Sequence, residues 1–210
     1  MSNDEQHTEL ERSLGTLPGP TPAAWERIRR DLAGEAERSG LIDVAFERHD
    51  SPLGTIIVGA TREGLVRVGL PAEDEADVLQ QLAERVSARV LHASRDSLTQ
   101  TRRELDEYFG RDRRVFDIPL DWRLTSGFRR EVLRATAQIP YGHTASYRDV
   151  ATRAGSPGAV RAAGSALATN PLPIVVPCHR VLRTGGGLGG YAGGLERKRF
   201  LLELERAGAG

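Results

Sequence analysis

The chain has one cysteine in 210 residues, Cys178. That excludes an intrachain disulfide and any zinc site built on several thiolates. Aromatic residues are scarce, at 5%, so the chain is not an aromatic-rich stacking platform. Lysine is almost missing: Lys198 is the only one, and arginine supplies the rest of the positive charge. The N-terminal Met1-Ser2-Asn3-Asp4-Glu5-Gln6 lacks the basic start and apolar run of a signal peptide. No apolar stretch approaches the roughly 20 residues that a membrane-spanning helix needs. The expectation is a protein of the cytoplasm without a membrane partner. With 39% hydrophobic and 28% charged residues, the composition is that of an ordinary globular protein, and the length fits one large domain or two small ones.

Net charge is also absent, since 29 basic side chains balance 29 acidic ones. The balance hides a division. Residues 1–110 carry 13 basic and 21 acidic side chains, whereas residues 111–210 carry 16 and 8. Such an asymmetry points to one half meeting a polyanion.

Three regions follow from the patterning. Residues 1–40 read as an extension, with a breaker-rich Leu17-Pro18-Gly19-Pro20-Thr21-Pro22 ahead of a helix through Trp25, Ile28 and Leu32. Residues 41–115 switch to period two at Val44 and Phe46, again at Ile56 and Val58, and again over Leu65-Val66-Arg67-Val68. The separators Ser51-Pro52-Leu53-Gly54 and Thr61-Arg62-Glu63-Gly64 are turn chemistry, which predicts a three-strand meander. Helical spacing at Ala76, Leu79, Leu82 and Val86, a short strand near Val90, and a second helix through Leu98, Leu105 and Tyr108 make this an α+β domain.

Residues 116–210 read as mostly helical. Ser126 caps a helix that carries Phe128, Val132, Ala135 and Ile139 and stops at Pro140-Tyr141-Gly142. Ser146-Tyr147-Arg148-Asp149 has the form of a capping box, and its short helix ends at Gly155. Ser156-Pro157 predicts an N-cap with proline at the first helical position, opening a second helix that runs to Asn170. The pair is either a helix-turn-helix or a plain helical hairpin. Ala159, Ala162, Ala163, Gly164 and Ala166 let something approach the second helix closely, whether a neighbouring helix or a nucleic-acid backbone.

An apolar run bracketed by prolines, Pro171 to Pro177, delivers Cys178-His179-Arg180-Val181. A thiol is a nucleophile only as thiolate, and its ordinary pKa of about 8.5 leaves little of it ionised at neutral pH. Activation needs a base or a cation, and His179 and Arg180 are candidates. In extended chain, neighbours point to opposite faces, so His179 reaches the sulfur only if the backbone turns or a water bridges them. The glycine-rich Thr184 to Gly194 contains a loose dinucleotide fingerprint, but too little chain follows for a βαβ unit. Such a loop instead lets backbone approach a ligand or wrap a pocket. A terminal helix follows from Leu195 to Glu205, with Leu201, Leu202 and Leu204 toward the core.

Taken together, Pro177-Cys178-His179-Arg180-Val181, Ile139-Pro140-Tyr141-Gly142, Thr144-Ala145-Ser146-Tyr147, Asn170-Pro171 and Gly189-Gly190-Tyr191-Ala192-Gly193-Gly194-Leu195 closely resemble the O6-alkylguanine-DNA alkyltransferases, or methylated-DNA–protein-cysteine methyltransferases. The resemblance is strong over about residues 117–206 and looser over 42–110. It implies a ribonuclease-H-like N-terminal domain and a C-terminal domain whose helix-turn-helix enters the minor groove of double-stranded DNA. The implied reaction is a single, irreversible transfer of an alkyl group from O6-alkylguanine, or O4-alkylthymine, to Cys178, with no cofactor and no metal, by a monomer. His179 would act as base through a bound water, Glu205 would orient it, and Asn170 would hold the turn before the cysteine. Tyr147 would donate to the purine and help rotate the nucleotide out, while Arg161 would fill the gap in the base stack. Ala159, Ala162 and Gly164 would lie along the DNA, and Pro173, Val181, Tyr191 and Ala192 would form the substrate pocket. Ala192 stands where some relatives have serine. His49 and His92 are too few for the structural zinc of other relatives. A lesion sensor that flips alkylguanine without repairing it, and a cysteine hydrolase, are the competing functional readings; the acceptor cysteine speaks against the first.

Overall fold

The structure is a computed structural model and describes residues 21–208. Leu17 to Pro20 of the breaker-rich stretch, and the acidic start, lie outside the described residues. The first element, α1 (Pro22–Arg38), is capped by Thr21, whose Oγ1 accepts from Ala24 N at 3.2 Å. Its apolar residues do not enter the core: Trp25, Ile28 and Leu32 are exposed, and Ala33 is the buried one.

Strands β1 (Val44–Ser51), β2 (Gly54–Ala60) and β3 (Leu65–Gly69) form the expected antiparallel meander, with Ser51 opposite Gly54 and Ile57 opposite Gly69. A fourth strand joins them. After α2 (Glu75–Arg85), the short β4 (Val90–His92) pairs in parallel with β1, giving the order β3-β2-β1-β4. It covers the edge of β1 that a three-strand meander leaves open. The sheet is covered on both faces. Val44, Phe46, Ile57 and Val66 pack with Val78 and Leu82 of α2. The opposite face, with Ala45, Ile56, Val58, Leu65 and Val68, packs with Leu98, Leu105 and Tyr108 of α3 (Asp96–Phe109). Among the described residues no group of three metal-binding side chains occurs. His49 faces Asp106 at 3.1 Å, and His92 lies edge-on to Phe46.

The C-terminal half contains α4 (Gly127–Ala137), α5 (Tyr147–Arg153), α6 (Val160–Ala168) and α7 (Leu195–Gly208), with a 3-10 turn at Cys178–Arg180. It also holds a small parallel ladder, β5 (Ala145–Ser146) with β6 (Val181–Leu182). The capping box of α5 is complete: Asp149 N donates to Ser146 Oγ at 3.1 Å, and Ser146 N to Asp149 Oδ2 at 2.8 Å. Ser156-Pro157 departs from its expected role as a helix start. Ser156 O accepts from Ala159 N at 2.9 Å in a turn, and α6 starts only at Val160, with Ala159 as its N-cap. It ends at Ala168, which leaves Asn170 free of the helix. Pro157-Gly158 favours a turn over a helical first turn, so the local capping signal loses.

The two halves share one continuous core, from Ala45 and Leu65 through Val132 and Val150 to Leu201. The free edge of β3 also links them. Leu65 N donates to Pro119 O and Asp121 N to Leu65 O, both at 2.8 Å, and Val68 N donates to Pro171 O at 2.8 Å. Gly64 makes the first of these crossings possible: its φ is +141°, and a Cβ there would sit 2.1 Å from Pro119 O. Gly64→Ala is therefore expected to destabilise the fold by at least about 1–3 kcal/mol, the cost of a side chain forced into a forbidden backbone region, read as a lower midpoint in urea unfolding.

Candidate active site

Residues 170–180 are all buried, although none belongs to a helix or strand before Cys178. Irregular buried backbone needs partners for its polar groups, and Asn170 supplies them. Its Oδ1 accepts from Leu172 N at 3.0 Å, and its Nδ2 donates to Val176 O at 2.8 Å and to Cys178 Sγ at 3.2 Å. Val176 N closes the turn on Leu172 O at 2.8 Å. Ile174, wholly buried, is held at φ +73°, where a β-branched residue is strained. The chain then turns through the 3-10 helix instead of running on extended. The His179 ring is held by Glu205: its Nε2 meets Glu205 Oε1 at 2.7 Å.

Glu205 is the hub. Besides His179 it accepts from Tyr108 Oη at 2.7 Å, from Gly142 N at 3.2 Å, and from Arg180, whose Nε and Nη2 both lie 2.9 Å from carboxylate oxygens. Burial alone would raise this carboxyl, but the hydrogen bonds of His179 and Arg180 and the Arg180 charge hold it down at about 2. Because Glu205 is ionised, His179 presents Nε2–H to it. The other ring nitrogen, Nδ1, is left as an acceptor, and it is buried with no hydrogen-bond partner among the described residues. Burial pushes His179 below the ordinary histidine pKa, against the pull of Glu205, so the resting ring is neutral.

Burial likewise raises the Cys178 thiol, opposed by the Asn170 hydrogen bond and the Lys198 charge. Lys198 is fully buried in α7 and ties the glycine-rich loop, donating Nζ to Val181 O at 2.7 Å, to Gly190 O at 3.3 Å and to Leu188 O. Burial lowers it to about 8, with the Cys178 charge pulling the other way.

A cavity of about 610 Å³ opens beside the sulfur. It brings together Cys178, Tyr147, Arg161, Gly164, Tyr191 and Ala192. Tyr147 is the first residue of α5 and rests against the backbone of the loop: a Cβ on Gly189, whose φ is +67°, would lie 2.6 Å from its hydroxyl. Arg161 is exposed in the first turn of α6 and makes no ion pair among the described residues. Other sequence-derived positions lie elsewhere. His179 and Glu205 sit wholly buried behind the cysteine. Ala159 and Ala162 flank the cavity without lining it, Pro173 lines a neighbouring cleft, and Val181 is buried in β6. Leu202 is only half-buried, and Lys198 takes the core place on α7. The hydrogen bond of Tyr108 to Glu205 and the loop-clamping role of Lys198 escaped the sequence reading; the solitary lysine was the one signal for the latter.

This is a two-domain protein that presents one buried cysteine, backed by an oriented imidazole, beneath a helix-turn-helix of α5 and α6. Two family profiles match it: 6-O-methylguanine DNA methyltransferase, ribonuclease-like domain, over residues 37–122, and 6-O-methylguanine DNA methyltransferase, DNA binding domain, over residues 127–207. The constitutive methylated-DNA–protein-cysteine methyltransferase of Bacillus subtilis is 39% identical over 158 residues, 75% of this chain and 92% of that protein. The Mycolicibacterium paratuberculosis enzyme of that name is 53% identical over 103 residues, 49% of this chain and 62% of its own. The crystal structure of Mycobacterium tuberculosis OGT in complex with DNA superposes with a TM-score of 0.66 at 35% identity, covering 78% of this chain and 94% of that one. The chain belongs to the 6-O-methylguanine DNA methyltransferase family.

The hub generates a test that needs no substrate. Removing the Tyr108 hydroxyl takes one donor from a buried charge, worth about 1.5–3 kcal/mol. Glu205 has a folded pKa of about 2 against an ordinary 4.5, so its stabilisation is complete above pH 4.5 and lost as pH falls toward 2. Tyr108→Phe is expected to unfold at lower urea at pH 7, and the gap from the parent protein is expected to close as pH falls through that window.

Proposed function

We propose that this protein repairs DNA directly, moving an alkyl group from O6-alkylguanine to Cys178 in one irreversible turnover. The observation that carries the reading is the cysteine itself, lining an open cavity with Asn170 on its sulfur and the His179–Glu205 pair behind it. In the reaction the thiol proton passes to His179 Nδ1 through a bridging water. The sulfur attacks the alkyl carbon in line with the C–O6 bond, a carbon–sulfur bond forms, and the electron pair of the broken bond stays with guanine. Tyr147, half-buried and raised in pKa by burial, keeps its hydroxyl proton and donates a hydrogen bond to the purine as charge grows there. The thioether cannot return to thiol by hydrolysis, so the protein acts once.

A base inside a duplex is out of reach of a buried sulfur, so the nucleotide must leave the stack at a cost of roughly a few kcal/mol. The reading has α6 lie in the minor groove, where small residues allow close approach and the base pattern carries little sequence information. Arg161, which lines the cavity, then fills the gap in the stack. Ala159, Ala162 and Gly164 lie along the backbone, and Pro173 and Val181 support the pocket from behind. O4-alkylthymine is a second substrate of the same chemistry. A monomer acting in the cytoplasm without a cofactor completes the proposal, together with the division into residues 1–40, 41–115 and 116–210.

Incubation with a duplex carrying one O6-methylguanine is expected to add one methyl mass per protein, mapped to Cys178. Cys178→Ala is expected to gain none while still binding the duplex. An adduct on the alanine variant would overturn the assignment, and tight binding without any adduct on the parent protein would favour a lesion sensor. Arg161→Ala is expected to slow transfer from duplex DNA at least about tenfold, since both docking and extrusion lose a participant. The same variant is expected to react with free O6-benzylguanine at a rate much closer to that of the parent, checked by the same mass measurement.

A further inference from the structure

Tyr108 is wholly buried in α3, and through its hydroxyl the N-terminal domain touches the carboxylate that holds His179. The ring packs edge-on to Phe109 and Tyr141, with centroids 5.4 and 6.0 Å away, and at a tilt to Phe116 at 5.3 Å. A phenylalanine would fill the same space, so packing does not require the hydroxyl. Nor does Glu205 need it for charge balance, since Arg180 grips the carboxylate with two nitrogens and Gly142 N donates to Oε2. What distinguishes the hydroxyl is the atom it binds. Tyr108 Oη and His179 Nε2 both lie 2.7 Å from Oε1, the same oxygen of the carboxylate. Two donors on one oxygen share its charge, so the hydrogen bond from Tyr108 weakens the pull of Glu205 on the imidazole. Burial and the Glu205 charge hold the phenol well above its ordinary pKa, so it stays protonated and donates.

We propose that Tyr108 is a positioning residue that tempers the base: by donating to the oxygen that holds His179, it keeps the imidazole neutral in the resting protein and open to the thiol proton. Its effect on the ring rests on the shared oxygen, and its effect on rate rests on the alkyl-transfer reading. Transfer needs a base that is empty before the reaction and still strong enough to take a proton during it. When the thiol proton passes through a water to Nδ1, the ring becomes an imidazolium and the sulfur a thiolate, and Glu205 then faces a cation. With Oε1 serving only His179 and Arg180, its charge would favour that imidazolium already at rest. A ring that holds its own proton cannot take one from sulfur. The other charged and titratable groups around the pair are Arg180 and Cys178 in the same turn, Lys198 on α7 and Tyr141 after α4. Burial, Arg180 and Lys198 all oppose a charge on the ring. Tyr108 adds to them from the other domain, and it does so without bringing a charge of its own.

The test reads His179 twice: by pH titration of its ring nitrogens in isotope-labelled protein, followed by NMR, and by the pH dependence of transfer from a duplex carrying O6-methylguanine. Tyr108→Phe is expected to raise the midpoint of the ring titration by at least about half a pH unit, roughly threefold in the protonation equilibrium. The low-pH limb of the transfer rate is expected to move up with it. Placing 3-fluorotyrosine at position 108 keeps the shape of the side chain and makes the phenol a stronger donor, so both midpoints are expected to move down. That second variant decides the question where Tyr108→Phe is too unstable to titrate. Slowing of transfer by the same factor at every pH, with both midpoints unmoved, overturns the proposal, because the hydroxyl then only supports the fold. A midpoint that falls in Tyr108→Phe, or fails to fall with 3-fluorotyrosine, also overturns it. A ring midpoint that moves while the rate limb stays overturns it too, because the charge of His179 then does not govern transfer. A parent protein that gains no adduct at any pH overturns the repair reading, while the ring titration, which needs no DNA, still upholds or overturns the effect of Tyr108 on His179.

Discussion

A carboxylate buried in an apolar core is costly unless its lone pairs are met by donors, and the arrangement around Cys178 depends on one that is fully met. Glu205 accepts from the Tyr108 hydroxyl, the His179 ring, the Arg180 guanidinium and the Gly142 amide. These come from α3, the turn after α4 and the 3-10 helix, so three separate pieces of chain are fixed to α7 at one point. The consequence for chemistry is a fixed tautomer. A carboxyl held at about 2 is ionised at any working pH, so it always takes Nε2–H and always leaves Nδ1 as the acceptor. Burial keeps the imidazole itself neutral. The imidazole keeps Nδ1 free to accept a proton because its partner does not titrate near neutral pH.

The second constraint is that a nucleophile at the end of an irregular segment must be held as firmly as one on a helix. Regular structure would satisfy the backbone of residues 170–177 automatically; here the task falls to Asn170 and to the edge of β3. Asn170 meets one backbone donor and one backbone acceptor of the turn and reaches the sulfur as well. Val68 of β3 meets Pro171 O. The N-terminal domain therefore contributes to the acceptor site twice, through this edge and through Tyr108, although it lines none of the acceptor cavity except by support.

Features written locally were legible from the residues alone. Alternation at Val44, Phe46, Ile56 and Val58, and the Ser146–Asp149 capping box, are interactions between near neighbours, and both appear in the structure. Cys178 and His179 stood out because two reactive residue types follow an apolar, proline-bracketed run. What the sequence concealed was long-range or in local conflict. Tyr108 meets Glu205 across 97 residues, and its helical spacing marks it only as a core residue. The short strand expected near Val90 is present as β4, but its parallel pairing with β1 is long-range, and three residues with none buried say nothing of that partner. Ser156-Pro157 carried a capping signal and a turn signal together, and the turn prevailed. Val181 neighbours the reactive residues in sequence, yet β6 turns it into the core and leaves only its carbonyl to act, on Lys198.

The raised pKa of Cys178 looks unsuited to a nucleophile, since thiolate is the reactive form. An enzyme that turns over many times gains from a standing thiolate; a protein that reacts once does not. Burial keeps the resting sulfur protonated and therefore slow to react with stray electrophiles or oxidants. In the proposed reaction charge appears on it only when His179 takes the proton, and then the Asn170 amide and the Lys198 ammonium are already in place to stabilise it. Alkylation removes that charge for good, and a neutral thioether sits in the same buried setting without penalty. The desolvation that opposes ionisation before the reaction thus favours the product after it, which is the direction a one-way transfer requires.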